Sequence, residues 1–143
     1  MWRVGLAEYD ELEGIEWEWQ AVDGVMMTKA PLGRDASGKN PTDRAKLGTK
    51  RSMLTDGAGI PLSVAVEGTN RHDAKLLVAT LDRVVARPAP GEDKGDHHLC
   101  LDAAHDSESA RQKVEARGYE AHIQKGGEER GEKEHRPGAK ARR

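Results

Sequence analysis

Alternating bulky and polar positions predict two short strands, each of which ends in an aspartate. Residues 17–24, Trp-Glu-Trp-Gln-Ala-Val-Asp-Gly, alternate in this way and place Asp23 at the end of the first strand. Residues 97–102, His-His-Leu-Cys-Leu-Asp, form the second strand, which ends at Asp102. We therefore expect both aspartates at an edge of a sheet.

Two strand-like runs on either side of an Asp-Gly-Ala-Gly turn predict a β-hairpin. Residues 50–55 form the first arm and residues 60–67 the second. The period of two places four apolar residues of the second arm on one face, with a more polar set on the other. The face expected to meet the core carries Ile60, Leu62, Val64 and Val66.

Apolar residues at helical spacing predict a helix after this hairpin. Asp73 is a good N-cap, and the helix is expected to run for about 14 residues, ending before Pro88. The next residues, 88–96, contain Pro, Gly and acids, so they read as a connector. The apolar face of the predicted helix consists of Leu77, Leu81, Val84 and Val85.

A second helix and a last strand are predicted after Asp102. Asp106 or Ser107 can cap the helix, and Gly118 can supply the left-handed residue that closes it. Residues 119–124 then have the character of a strand.

The order of these elements predicts an α/β fold with a mixed sheet flanked by helices. Residues 31–49 are rich in Gly, Pro, Asn, Asp and Lys and are expected to form a long loop. Residues 1–124 are assigned to one domain. Residues 125–143 form a polar, basic tail with almost no apolar side chains, which we expect to be disordered.

Composition and charge refine this picture. Only 36% of the residues are hydrophobic and 3% aromatic, so the core is expected to be thin and its stability marginal. The net charge of −2 conceals a segregation, since residues 1–24 sum to −6 and residues 25–71 to +4. A basic block that follows an acidic strand could seat a phosphate backbone beside a metal site. A solvated charged surface is the alternative.

Neither a disulfide framework nor a membrane span is expected. Cys100 is the single cysteine, and no apolar stretch approaches the roughly 20 residues needed to cross a bilayer. The amino terminus also lacks the basic start and apolar segment of a secretory signal. These features favour a cytoplasmic protein.

The two aspartates suggest phosphodiester chemistry if their strands are neighbours in the sheet. Paired carboxylates bind Mg²⁺ well, because this hard cation takes a few anionic oxygens together with waters and substrate phosphates. Such ions activate an attacking oxygen and stabilise the leaving one. Spacing alone leaves surface or capping roles for both residues open.

Several segments, in their order along the chain, resemble those of bacterial insertion-sequence transposases of the DDE type, the IS-four and IS-five superfamily. The resemblance covers nearly the whole chain. It is carried by the segments GLAEYDEL, WEWQAVDG, KAPLG, GKNPTDRAKLGTKRSMLTDGAGIPLSVAVEGTNRHDAKLL, HLCLDAAHD and VEARGY.

The resemblance implies a ribonuclease H-like fold with Asp23 and Asp102 as the first two catalytic, metal-binding acids. It implies Mg²⁺ or Mn²⁺ as the cofactor. The implied activity is nicking of DNA at the terminal inverted repeats of the element, followed by attack of the freed 3′ hydroxyl on target DNA. His105 departs from the family, which often has tyrosine at this position.

The third acid of the family usually lies on a helix after a basic stretch similar to residues 135–143. The chain ends there, and an upstream DNA-binding region is also lacking, so we expect an incomplete domain that is inactive alone. One alternative is a catalytically dead DNA-binding fragment that interferes with an intact transposase through shared DNA or subunit contacts; its protein partners would be a second copy of itself or the intact transposase. The other is an unstable pseudogene product.

Basic residues around the predicted hairpin are candidates for contacts with DNA phosphates: Lys29, Lys50, Arg51 and Arg71. The resemblance also suggests that His72 supports the active site.

A Zn²⁺ site is an alternative for the second aspartate-bearing strand. Its candidate ligands are His98, Cys100 and Asp102, which share a strand face, with His97 and His105 nearby. The usual spacings of structural zinc sites are absent, which favours a half-buried strand with a packed cysteine.

Overall fold

The chain contains both helices and strands in a computed structural model, which describes residues 1–27, 37–40, 47–85 and 95–123. The helices are α1 (Trp2–Leu12), α2 (Asp73–Asp82) and α3 (Glu108–Glu115), with a short 3₁₀ turn at Ala103–His105. The strands are β1 (Trp19–Met27), β2 (Gly38–Lys39), β3 (Leu47–Asp56), β4 (Pro61–Gly68), β5 (His97–Leu101) and β6 (Tyr119–Ile123).

These strands form one mixed sheet. Along its main path β3, β1, β5 and β6 are neighbours, while β4 and the short β2 also pair with β3. The pairings of β3 with β1 and β4 are antiparallel, whereas β1, β5 and β6 run parallel to one another. Parallel neighbours need crossover connections, which contain α2 and α3 here. The predicted α/β class, with a mixed sheet and helices in the crossovers, is confirmed.

The predicted hairpin is confirmed as β3 and β4. Asp56 organises its turn, because Oδ1 accepts a hydrogen bond from the backbone N–H of Ile60 at 2.6 Å. Gly59 has a φ of +89°, a left-handed conformation that favours glycine. Oδ2 of Asp56 also accepts from the backbone N–H of Glu16 at 3.2 Å, which ties the lead into β1 to the hairpin.

The predicted core face of β4 is wrong in its second half. Leu62 is fully buried as expected, but Val66 is 40% exposed while Ser63 and Ala65 are fully buried. The cause is an irregularity in the pairing of β3 with β4 next to Leu54, where β4 carries one extra residue. Such a bulge exchanges the two faces for every residue that follows it.

Helix α1 was not predicted, although its signal is present in the sequence. Trp2, Leu6 and Tyr9 fall at i, i+4 and i+7, a spacing that places them on one helical face. Leu6 is 4% exposed, and Tyr9 packs against the same core. Asp10 fixes the exit from the helix by accepting a hydrogen bond from the backbone N–H of Ile15 at 2.7 Å.

Helix α2 begins one residue away from the predicted cap and is shorter than expected. Its N-cap is His72, whose side chain makes no capping hydrogen bond, and Asp73 lies in the first turn. The helix ends at Asp82, but Val84 and Val85 still pack against the core. The prediction of Asp73 as the cap is therefore wrong, and its carboxylate has another partner described below.

Helix α3 and β6 follow the sequence closely. Ser107 caps α3 by accepting a hydrogen bond from the backbone N–H of Ala110 at 3.2 Å. Gly118 has a φ of +82°, as predicted for the residue that ends this unit, and β6 begins directly after it.

The core lies on one face of the sheet. Leu6 of α1, Leu77 of α2 and Val114 of α3 join Leu54 and Leu99 of the sheet in one buried cluster. We call the other side the open face; it includes Trp19, Asp23, Val25, Arg51, Val66, His98, Cys100, Glu120 and His122. A helix long and apolar enough to cross a membrane does not occur among the described residues.

Two predictions fall partly or wholly outside the described residues. The predicted loop at 31–49 contains β2 and the start of β3 where it is described. The predicted tail, 125–143, lies outside the described residues.

Candidate metal-binding site at β1 and the end of β5

The parallel pairing of β1 with β5 places Asp23 and Asp102 at neighbouring positions. Val22 is the register partner of Leu101, and each is 6% exposed. Asp23 and Asp102 are the next residues along the two strands, and both are exposed. Asp102 directly follows β5, as predicted, but Asp23 is the middle residue of β1, so the prediction that it ends its strand is wrong. Because neighbouring strands lie about 4.8 Å apart, the two backbones are close enough for both carboxylates to reach one cation.

The local backbone turns sharply after Asp102. Its φ of −64° and ψ of 154° are extended, and its carbonyl oxygen accepts a hydrogen bond from the backbone N–H of His105 at 2.9 Å. This turn ends β5 and leaves Asp102 at the edge of the sheet.

A cleft of about 180 Å³ opens beside β1 and the end of β5. Asp102 lines it directly, whereas Asp23 lies between two lining residues of β1 and belongs to the open face. The lining residues are Val22, Gly24, Val25, Lys50, Arg51, Asp73, Leu76, Asp102, Ala104 and His105.

Lys50 and Asp73 form an ion pair at this cleft. The Lys50 Nζ lies 2.8 Å from Oδ1 of Asp73 and also donates to the carbonyl oxygen of Arg71 at 3.2 Å. The Lys50 side chain is 14% exposed, so its charge is largely engaged within the protein. The sequence left two roles open for Asp73, support of the active site and a helix cap, and favoured the cap; the structure places Asp73 among the residues that line the cleft.

The other basic candidates differ in their surroundings. Arg51 is exposed and lines the cleft. The Nε of Arg71 lies 3.7 Å from Oε2 of Glu67, and the Arg71 side chain is 56% exposed. Lys29 lies outside the described residues. His72 is exposed and precedes the cleft residue Asp73, so the structure places it beside the cleft.

The zinc candidates of β5 are divided between different environments. His97 approaches the carbonyl oxygen of Trp17 at 2.9 Å, and His105 lines the cleft. Cys100 is exposed, so the expectation of a packed cysteine is wrong. His98 lies beside Glu120 and His122 of β6, two residues that sequence reasoning missed because the partner strand was unknown.

The donor set of the two aspartates fits a hard divalent cation. Asp23 and Asp102 offer carboxylate oxygens, which are the ligands that Mg²⁺ and Mn²⁺ prefer. Across the ranges that the structure describes, neither carboxylate forms an ion pair with a basic side chain. The site therefore offers two neighbouring carboxylates beside a cleft that is also lined by the basic residues Lys50 and Arg51.

A family model described as "Transposase DDE domain" matches residues 19–142, which include both aspartates. This chain belongs to the DDE transposase family. A Burkholderia cepacia protein named as a transposase for insertion sequence element IS402 is 34% identical over 99 residues. The match covers 65% of this chain and 45% of that protein, so the transposase chain spans less than half of this relative's length.

Solved transposase structures are also similar in part. The catalytic domain of Mos1 mariner transposase aligns with a TM-score of 0.49 at 14% identity, covering 82% of this chain and 54% of that chain. The Mos1 mariner paired-end complex with Mn aligns with a TM-score of 0.47 at 15% identity, covering 82% and 38%.

Proposed function

We propose that this chain forms the part of a DNA transposase active site that carries the first two acidic residues, Asp23 and Asp102. The observation that carries the proposal is the parallel register of Val22 with Leu101, which gives the two aspartates neighbouring positions on adjacent strands. Membership of the DDE transposase family supports it, because the matched region contains both acids. The proposed setting is the cytoplasm.

The two carboxylates would hold Mg²⁺ or Mn²⁺, which supplies activation of an attacking oxygen and stabilisation of a leaving one. Asp102 offers its oxygens directly at the cleft, and Asp23 offers them from the adjacent strand. The proposed substrate is the DNA of the element's terminal inverted repeats, followed by target DNA.

The rim of the cleft supports contact with DNA phosphates. Arg51 is an exposed cation of β3 that lines the cleft. Arg71 is an exposed cation after β4, and its carbonyl oxygen accepts a hydrogen bond from the cleft residue Lys50. Lys50 has a different role in this proposal, since its ammonium engages Asp73 and holds α2 against β3. Phosphate contacts of this kind position a duplex without reading its sequence.

We further propose that the chain alone gives slow nicking at most and no strand transfer. Of the described acids around the cleft, Asp73 is engaged by Lys50, which leaves Asp23 and Asp102 as cation ligands. Two-ion phosphodiester chemistry needs ligands that clamp both the attacking and the leaving oxygen. With only these two carboxylates from the described part of the chain, the site would bind its cation weakly and would lack ligands for the full reaction.

The experiment incubates the purified chain with labelled terminal-inverted-repeat DNA and Mg²⁺ or Mn²⁺, and follows binding, nicking and strand transfer. We expect salt-dependent DNA binding, no strand-transfer product, and nicking that disappears in both Asp23→Asn and Asp102→Asn. Asp96→Asn is the matched control, because Asp96 is exposed at the opposite end of β5. Nicking that survives both active-site changes would refute the site, and efficient strand transfer would refute the proposed inactivity.

A further inference from the structure

We propose that His98, Glu120 and His122 form a Zn²⁺ site on the open face of the sheet, separate from the two aspartates. The ligand atoms of these three residues all lie within 4.8 Å of one another. The proposal does not depend on the transposase activity, because it rests on the side chains of β5 and β6.

Strand register brings the three residues together. In the parallel pairing of β5 with β6, His98 is the partner of Glu120 and Cys100 is the partner of His122. Alternate residues of a strand point to the same side, so His98, Glu120 and His122 all point to the open face. Their proximity is therefore fixed by the backbone of the sheet.

The distances suit one tetrahedral ion. Nδ1 of His98 lies 3.0 Å from Nε2 of His122 and 3.3 Å from Oε2 of Glu120, and Oε1 of Glu120 lies 4.0 Å from Nε2 of His122. Ligands about 2.0–2.2 Å from Zn²⁺ at tetrahedral angles are about 3.3–3.6 Å apart. Small side-chain rotations bring the three donors to that geometry.

Aromatic packing orients the first ligand. The Trp19 ring stacks on the His98 ring with centroids 4.3 Å apart and an interplanar angle of 23°, and it also lies 5.2 Å from the His122 ring. The His98 side chain is 19% exposed, so much of its rotational freedom is already lost before an ion binds. A ligand fixed in advance lowers the entropic cost of binding.

The donor set selects the class of ion. Imidazole nitrogens suit Zn²⁺ and similar transition metals, whereas Mg²⁺ prefers oxygen ligands. The side chains of Glu120 and His122 are 62% and 39% exposed, which leaves room for water as the fourth ligand. His98 precedes Asp102 by four strand residues, or roughly 13 Å, so one ion cannot serve both sites.

The consequence of binding is a cross-link between β5 and β6. An ion that binds the folded protein and not the unfolded chain stabilises the fold by mass action. The site would therefore stabilise the strand that carries Asp102.

The test is a calorimetric Zn²⁺ titration of the full chain in excess Mg²⁺, which occupies carboxylate-only sites. We expect one Zn²⁺ per chain and a loss of affinity of at least about tenfold in His122→Ala and Glu120→Gln. Both residues lie on β6 and are partly exposed, so these variants are expected to fold, which far-ultraviolet circular dichroism checks. His98→Ala should abolish binding.

His72→Ala and Asp102→Asn are the controls, and both should retain the wild-type affinity for Zn²⁺. The proposal is overturned if the folded wild-type chain does not bind Zn²⁺, or if His122→Ala and Glu120→Gln bind it as the wild type does. Either result would mean that the 3.0 Å contact between Nδ1 of His98 and Nε2 of His122 is a hydrogen bond and not part of a metal site. Equal losses in Asp102→Asn would also overturn it, because the ion would then belong to the aspartate site.

Discussion

The ammonium group of Lys50 lies 2.8 Å from the carboxylate of Asp73 and thereby fastens β3 to the first turn of α2. The same ammonium donates to the carbonyl oxygen of Arg71, so a single side chain holds the corner where the hairpin leads into the helix. This corner forms one wall of the cleft beside Asp102. The position of α2 relative to the cleft thus depends on the charge of Lys50, which the sequence had suggested as a contact for DNA phosphates.

Loss of this interaction should reduce stability. Lys50→Met is expected to lower the free energy of unfolding by about 1 kcal/mol, since Asp73 is partly exposed and water screens the pair. Lys75→Met is the matched control, because Lys75 is an exposed residue of α2, and its effect should stay within about 0.5 kcal/mol. Urea unfolding measures both values, and equal effects of the two changes would contradict the assigned role.

Arg51 should contribute to DNA affinity through its charge alone. Arg51→Gln is expected to weaken binding of any DNA sequence and to reduce the magnitude of the slope of log affinity against log salt by about 1. Arg83→Gln provides the comparison, because Arg83 is exposed at the other end of α2. Fluorescence anisotropy at several salt concentrations gives the slopes. Identical losses in the two variants would mean that only net charge matters.

Arg117 should stabilise the contact between α2 and the end of α3 equally at about pH 6 and about pH 9. Its Nε and Nη2 donate to the two carboxylate oxygens of Asp82 at 2.8 and 3.1 Å. The hydrogen bond that Arg117 donates to Asp82 raises the pKa of Arg117, with burial opposing and charge attraction adding to this effect. A raised pKa means that the stabilisation is fully present below the ordinary pKa of arginine and is lost only at more alkaline pH.

The corresponding variant is Arg117→Gln, which should lower the free energy of unfolding by about 0.5–1 kcal/mol. The difference from the wild type should be the same at about pH 6 and about pH 9, since arginine remains charged at both. Arg117→Lys keeps the charge but loses the two-pronged contact, so it should recover only part of the stability. A difference that vanishes at about pH 9 would contradict this explanation.

Local signals in the sequence were sufficient for much of the fold. The turn at Asp56 and Gly59, the cap at Ser107 and the left-handed Gly118 depend on residues within a few positions of one another, and all were predicted. Helix α1 was also within reach, since Leu6 and Tyr9 show its periodicity.

The features that the sequence did not predict depend on contacts between residues that are distant in the chain. The bulge in the pairing of β4 with β3 moves Ser63 and Ala65 to the core, and their own sequence contains no sign of it. Ser63 tolerates burial because its hydroxyl donates to the carbonyl oxygen of Thr80 at 2.7 Å, which is a contact with α2. The meeting of His98 with His122 likewise requires the register of β5 with β6.

The candidate site shows the same division. The sequence correctly placed Asp102 at the end of β5 but wrongly placed Asp23 at a strand end, because β1 continues to Met27. Only the pairing of β1 with β5 makes the two aspartates neighbours. The partner of Lys50 was equally hidden, because Asp73 is 23 residues away in sequence.

The most direct test of the central claim, a divalent cation shared by Asp23 and Asp102, is Mn²⁺-induced broadening of backbone amide signals in nuclear magnetic resonance spectra. The paramagnetic ion broadens signals near its binding site. We predict that the amides of Asp23, Gly24, Asp102 and Ala103 broaden together at the lowest Mn²⁺ concentrations, and that Asp23→Asn and Asp102→Asn each remove the effect in both segments. Broadening that persists at the same Mn²⁺ concentrations in either variant would contradict the shared site.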